Sequence, residues 1–184
     1  MKNLHVRALV EGAIMVALAQ VLGYIKFYSM PYGGSVTLAM VPIILYCVRW
    51  GLGRGLLASL VFGLLQLVLD GAYAYTWQSM ILDYLAAYAL LGFAGLFHGK
   101  SWGVFAGSVV GILLRFVCLT LSGVFVWAEY MPDTFLGLQM TSPWVYSPLY
   151  NGVYMGLNLV LTLVVFAILC KPMKRFFLGR DLVK

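Results

Sequence analysis

Trp102-Gly103-Val104-Phe105-Ala106-Gly107-Ser108-Val109-Val110-Gly111-Ile112-Leu113-Leu114-Arg115-Phe116-Val117-Cys118-Leu119-Thr120-Leu121-Ser122-Gly123-Val124-Phe125-Val126-Trp127 carries one charged side chain, Arg115. A helix needs about 20 mostly apolar residues to cross the hydrocarbon core of a bilayer, and this run supplies them. Working outward, further apolar runs cover residues 8–25, 37–49, 54–70, 76–97 and 149–170. The expected fold is an all-α integral membrane protein with six transmembrane helices. Composition agrees: 63% of the 184 residues are hydrophobic and 10% charged, against about 45–50% and about 25% in water-soluble domains. Run 37–49 is short for a span, so it is expected to tilt little or to borrow from the Gly-rich stretch before it. No internal repeat, linker or low-complexity segment interrupts the chain, which reads as one transmembrane domain over residues 1–184.

The charges set the expected orientation. Lys2, Arg7, Arg49, Arg54, Lys100, Lys171, Lys174, Arg175, Arg180 and Lys184 all fall on the side of the two termini, whereas Asp70, Glu129 and Asp133 fall on the other. The positive-inside rule therefore puts both termini in the cytoplasm. Basic residues sit at the ends of apolar runs and form no surface stripe, so the net charge of +6 reads as topology and not as nucleic-acid binding. Glu11 interrupts what would be the apolar region of a signal peptide, and a retained first helix is expected. Cys47, Cys118 and Cys170 have no metal-site or disulfide spacing and read as small buried hydrophobes.

The connection 128–148 is long enough to be a lid or binding loop, and Ser147-Pro148 reads as N-cap and first residue of the last helix. Small residues recur at four-residue spacing: Ala13 and Ala17; Gly55, Ser59 and Gly63; Gly103, Gly107 and Gly111; Gly152 and Gly156. Such spacing lets helix backbones approach closely in lipid. Most of these sets read as internal packing, and the first pair could equally face a partner protein.

Asp83, inside run 76–97, is the most informative residue. An ionisable group near mid-helix costs roughly 2.5–3.5 kcal/mol, so it faces a cavity or a partner. It lies about 9 Å below an outer end near Trp77 at 1.5 Å per residue. A pocket opening outward and an ion pair with Arg115 both account for it. Trp127 alone reads as an interfacial anchor. Gly123, one turn below it, removes side-chain bulk where a flat ring could lie against the indole. On the last helix Asn151, Tyr154 and Asn158 share a face preceded by Tyr146 and Tyr150; Asn158 reads as interhelical glue, Asn151 and Tyr146 as part of an outer pocket. One carboxylate, an aromatic plane and amide and phenol groups together match a flat, nitrogen-rich cation. His5 and His98 lie at helix edges, no two acids share a helix face, and residues 95–101 lack the first glycine of a P-loop, so no enzyme constellation is present.

Residues Glu11 to Ala19, Val41-Pro42-Ile43-Ile44, Arg49-Trp50-Gly51 with Gly55-Leu56, Leu82-Asp83-Tyr84 and Leu91 to Phe97 resemble a known family. So do Ser122-Gly123-Val124-Phe125-Val126-Trp127 and Tyr146-Ser147-Pro148-Leu149-Tyr150-Asn151-Gly152. The chain resembles the thiamine-specific S components, of ThiT or YuaJ type, of energy-coupling factor (ECF) transporters. The resemblance implies a six-helix, non-enzymatic subunit that captures thiamine from the extracellular side without a cofactor. The implied ligand-binding residues are Asp83, Tyr84, Gly123, Trp127, Tyr146 and Asn151, with Tyr73 a weaker match. Ala13 and Ala17 match the motif by which S components dock on the ECF transmembrane T subunit, and two cytoplasmic ATPases hydrolyse the ATP. The family's Glu, His and Trp are replaced by Asp83, Leu119 and a residue near Gly33, which leaves a related pyrimidine or thiazole compound as an alternative ligand. A small autonomous channel or carrier using Asp83 and Arg115 is the alternative from another class.

Overall fold

The computed structural model describes residues 4–69 and 76–181. Helices dominate: α1 Leu4–Tyr24, α2 Met40–Trp50, α3 Leu52–Leu69, α4 Trp77–Phe97, α5 Gly103–Phe125, α6 Pro143–Cys170 and a last short turn, α7 Lys174–Phe177. Among the described residues five helices (α1, α3, α4, α5 and α6) are long and apolar enough to cross a membrane. Many of their large apolar side chains point outward, including Val10, Ile14, Leu57, Leu113, Val160 and Ile168, as a bundle solvated by lipid requires.

The short run becomes α2, and its length has a structural reason. Every residue from Met40 to Trp50 is buried, so α2 packs as a core helix inside the other helices and meets little lipid. The backbone that precedes it forms a hairpin, β1 Tyr28–Ser29 against β2 Ser35–Val36, with Tyr28 opposite Val36. Non-helical backbone near membrane depth must find its hydrogen bonds in protein. Asn158 on α6 meets that need. Its Nδ2 donates to the Ser35 carbonyl at 2.8 Å, and its Oδ1 accepts from the Thr37 N–H at 3.0 Å. It therefore glues a hairpin, not a second helix, to α6.

Two of the small-residue sets, those beginning at Gly55 and at Gly103, pack internally, and Gly92 adds a further close approach. A Cβ on Gly92 would lie 2.6 Å from the Leu56 Cα, which brings α4 against α3. Gly55 lies against Cys47, and Gly103, Gly107 and Gly111 bring α5 against α4 and α2. Gly156, in contrast, faces open space. Ala13 and Ala17 lie on the exposed side of α1. All three cysteines are free thiols.

The last helix starts earlier than the sequence suggests. Its N-cap is Ser142, whose hydroxyl accepts from the Trp144 N–H, and Pro143 opens it. Two Ser-Pro pairs five residues apart both carry the start signal, and the first one acts. Pro148 lies inside the helix, while Ser147 donates across to the Thr120 carbonyl at 2.8 Å. The connection 128–148 is accordingly shorter and structured: a 3-10 turn at Ala128–Tyr130 and a second hairpin, β3 Thr134–Phe135 with β4 Leu138–Gln139. Both turn residues, Leu136 and Gly137, have positive φ, the geometry of a tight two-residue hairpin turn.

At the end of the bundle that carries the termini, Arg49 is 1% exposed and gathers two acids from distant parts of the chain. Its guanidinium donates to Glu11 at 2.7 and 3.1 Å, to Asp181 at 2.7 and 2.8 Å, and to the Phe176 carbonyl at 2.6 Å. Arg7 bonds both acids as well, and the Trp50 indole N–H reaches Glu11 at 2.8 Å. Hydrogen bonds from Arg49, more than any other influence, hold the Asp181 carboxyl down to about 2, from an ordinary value of 3.8. A lowered carboxyl pKa stabilises the fold above its unfolded value and loses that contribution as pH falls towards the folded value. The melting temperature in detergent should therefore fall as pH drops from about 4 to about 2, and Asp181→Asn should flatten that part of the profile. An identical acid limb in both proteins would contradict the assignment.

Candidate functional site

Helix α4 winds unevenly, and the unevenness positions the acid. Thr76 and Ser79 close a capping box, with Thr76 Oγ1 accepting from the Ser79 N–H at 3.2 Å and Ser79 Oγ from the Thr76 N–H at 3.3 Å. The helix then widens into a π-helical stretch, Met80–Ala86, before tightening to 3-10 geometry over Leu90–Phe97. π-Helical turns recur at functional sites because they re-aim side chains, and this one contains Asp83 and Tyr84. Gly63 on α3 makes room for it: a Cβ there would stand 2.4 Å from the Tyr84 carbonyl oxygen.

Across from this stretch Trp127, just past the end of α5, donates its indole N–H to Asp83 Oδ2 at 2.8 Å. The bond fixes both the carboxylate and the plane of the indole. Tyr130 meets the indole edge-on, with centroids 5.7 Å apart. On α6 an aromatic column continues the wall: Tyr146 contacts Phe135 of the second hairpin at 5.4 Å, Tyr150 at 5.6 Å, and Tyr150 contacts Tyr154 at 5.8 Å. The Tyr150 hydroxyl bonds the Pro31 carbonyl and accepts from the Gly34 N–H, tying the first hairpin over the site.

These elements enclose a cavity of about 150 Å³. Asp83, Tyr84, Gly123, Trp127, Tyr146 and Asn151 all line it, so six of the residues singled out in the sequence converge. Tyr73 lies outside the described residues. Ala13 and Ala17 are elsewhere, on the outer face of α1. Two of the six act differently from the sequence reading. Gly123 is required by helix contact and not by space for a ring, because a Cβ there would lie 2.1 Å from Ser147 Oγ. Asn151 is largely engaged by the protein: its amide N–H groups reach the Ser147 carbonyl at 2.9 Å, and its oxygen accepts from the Tyr154 hydroxyl at 2.8 Å. One further lone pair on that oxygen is what it can offer a ligand.

The ion pair between Asp83 and Arg115 is not formed. Arg115 also lines the cavity, but its guanidinium lies over the Tyr88 ring, 3.7 Å from the centroid. Tyr88, Gln66, Tyr130, Gly34, Ser35 and Thr37 also contribute wall, none of them singled out by the sequence. Gln66 could have been found, since an amide inside an apolar run seeks an interior partner. It donates to Gln20 at 2.8 Å and accepts from the Tyr88 hydroxyl at 3.3 Å.

The profile of the family described as thiamine transporter protein (Thia_YuaJ) matches residues 9–178. This chain belongs to the thiamine transporter family. Thiamine transporter ThiT of Bacillus subtilis is 34% identical to it, with 88% of each chain covered. Thiamine transporter ThiT of Lacticaseibacillus paracasei is 28% identical over 94% of this chain and 91% of its own length. A solved structure of ThiT from Listeria monocytogenes superposes with a TM-score of 0.83 at 23% identity, covering 95% of this chain and 99% of that one, which establishes a shared fold. This thiamine transporter family member is thus a multi-pass membrane protein with a transport role and not an enzyme.

Proposed function

We propose that the chain is the substrate-binding S subunit of an ECF-type importer, and that its cavity captures thiamine from the extracellular side. The observation that carries this reading is the Trp127–Asp83 pair, an indole N–H holding a carboxylate at 2.8 Å on the wall of a cavity, in a member of the thiamine transporter family. A cation entering there exchanges water for the carboxylate, and aromatic faces add about 0.5–2 kcal/mol each. Asp83 and Trp127 supply the charge and the plane, Tyr84 and Tyr146 the flanking rings, Asn151 one acceptor, and Gly123 the helix contact that sets the cavity's width; Tyr73 is assigned by resemblance alone.

In this reading the buried α2 counts as the sixth helix, the whole chain acts as one substrate-binding domain, and both termini face the cytoplasm, as the distribution of basic residues supports. Ala13 and Ala17 on the exposed side of α1 dock the T subunit. Two ATPases on the cytoplasmic side hydrolyse ATP, and the chain itself uses no cofactor. Thiamine titrated into the purified chain is expected to quench tryptophan fluorescence saturably at sub-micromolar ligand, in the absence of any partner. Quenching that never saturates, or thiamine flux into liposomes holding this chain alone, would contradict the assignment.

A further inference from the structure

A second hollow lies on the outside of the bundle and shares no lining residue with the cavity around Asp83. His5 meets Arg54 at one end of the α1–α3 pair and Gln20 meets Gln66 at the other, so the two helices run parallel. Between them is a groove of about 340 Å³. Ala8, Gly12 and Ala58 form its floor and carry little or no side chain. Beneath them Tyr46 donates its hydroxyl to the Ala8 carbonyl at 2.9 Å, and a Cβ on Gly12 would lie 3.0 Å from that hydroxyl, so the floor is tightly packed. Leu9 on α1 and Leu57 and Val61 on α3 are the exposed rims. From His5 to Val16 α1 rises about 16 Å at 1.5 Å per residue, half of the roughly 30 Å hydrocarbon core of a bilayer.

The groove is apolar along its length and cationic at one end, where Arg54 and His5 line it. The Arg54 guanidinium lies over the Trp50 ring, 4.8 Å from the centroid, with Nη2 3.4 Å from His5 Nδ1. Among the described residues no carboxylate pairs with it. Glu11, the nearest acid on α1, is engaged by Arg7, Arg49 and the Trp50 indole, so Arg54 keeps its charge for a partner. A guanidinium offers a fork of donors that matches phosphate oxygens. A cationic head above an apolar trough half a bilayer long is complementary to one molecule of the surrounding solvent. We propose that the α1–α3 groove binds an anionic phospholipid from the leaflet on the side of the termini, its phosphate on Arg54 and His5 and its acyl chain along the trough. The chain then fills space that would otherwise forfeit dispersion contacts. Ala13 borders the same groove, so on the docking assignment above the lipid is held while no T subunit is bound.

Photolabelling of the full chain alone, in phosphatidylcholine nanodiscs, tests it. The probes are phosphatidylglycerol and phosphatidylcholine, each with a diazirine in mid-chain. On the wild-type chain, which involves no folding risk, phosphatidylglycerol is expected to label the groove rims, Leu9, Ala13, Leu57 and Val61, ahead of the other exterior helices. Phosphatidylcholine should label them about fivefold less, the share of one basic residue at an anionic headgroup. Arg54→Gln should bring the two probes level, whereas Lys100→Gln, which removes a cation over Phe97 and Trp102 and outside the groove, should leave the difference in place. Ala13→Phe, a change at an exposed position, should obstruct the trough and cut labelling by both probes. Labels spread evenly over all exterior helices, equal labelling by the two probes in the wild type, or equal losses in Arg54→Gln and Lys100→Gln would reduce the effect to diffuse attraction and overturn the site. Cross-links between two copies of the chain through the groove would overturn it as well, by giving the groove a protein occupant.

Discussion

Asp83→Asn is expected to weaken thiamine binding by about 2–4 kcal/mol, roughly 30- to 1000-fold, the range for losing one partner of a buried charge interaction. The substitution is nearly isosteric. Asn keeps an oxygen that accepts from the Trp127 indole N–H, so the 2.8 Å bond and the position of the ring survive. What goes is the negative charge, and the loss therefore reports on attraction to the cation and not on a collapsed wall. The same change should raise the thermal stability of the ligand-free chain. Among the described residues no basic group forms an ion pair with Asp83, and the Trp127 bond, which Asn keeps, together with the Arg115 charge offsets only part of its desolvation. Opposite signs for affinity and stability mark a residue kept for binding. A structural ion pair would give the reverse, and a loss of stability in Asp83→Asn would contradict the account.

The second large effect is on the fold. Arg49→Met should destabilise the chain by about 2–3 kcal/mol, because it removes the hydrogen bonds of a buried guanidinium and strands two partly exposed acids. Arg49 is 1% exposed and is the common partner of Glu11 on α1, Asp181 near the chain's end and the Phe176 carbonyl. Without it two carboxylates face each other with Arg7 alone between them. Methionine fills the volume over the Phe176 ring, where the guanidinium now stands 3.8 Å from the centroid, so packing changes little. Thermal unfolding in detergent is expected to fall by about 10 °C, and thiamine affinity is expected to hold because the cluster lies at the opposite end of the bundle from the cavity. A melting temperature within about 2 °C of wild type would show that the cluster contributes little.

Much of this was legible in the residues, and the exceptions have physical causes. Five long helices follow from apolar length, because lipid solvates any run of sufficient length. Run 37–49 was ambiguous because burial on all sides and exposure to lipid both select apolar residues; only its shortness hinted that α2 is a core helix. Asp83 and Trp127 stood out because a charge and an indole near one membrane face are costly or specific wherever they occur. Their hydrogen bond could not be read, since they lie 44 positions apart on separate helices. Gly123 was found for the wrong reason: glycine signals a close approach without saying whether ligand or helix approaches. The π-helical stretch under Asp83 leaves no pattern in sequence, and its close contact with Gly63 comes from a separate helix. Arg49 looked like a topology marker, and nothing in the order of residues announces that Glu11 and Asp181 converge on it.

The most direct test locates the ligand. In crystals grown with thiamine, the anomalous scattering of the thiazolium sulfur marks the ring's position without reference to the rest of the map. The account predicts that sulfur inside the cavity, with the ring within about 6 Å of the Trp127 centroid and the carboxylate of Asp83 in contact with the ligand. A sulfur peak outside the cavity, or a bound thiamine that leaves Asp83 and Trp127 untouched, would contradict it.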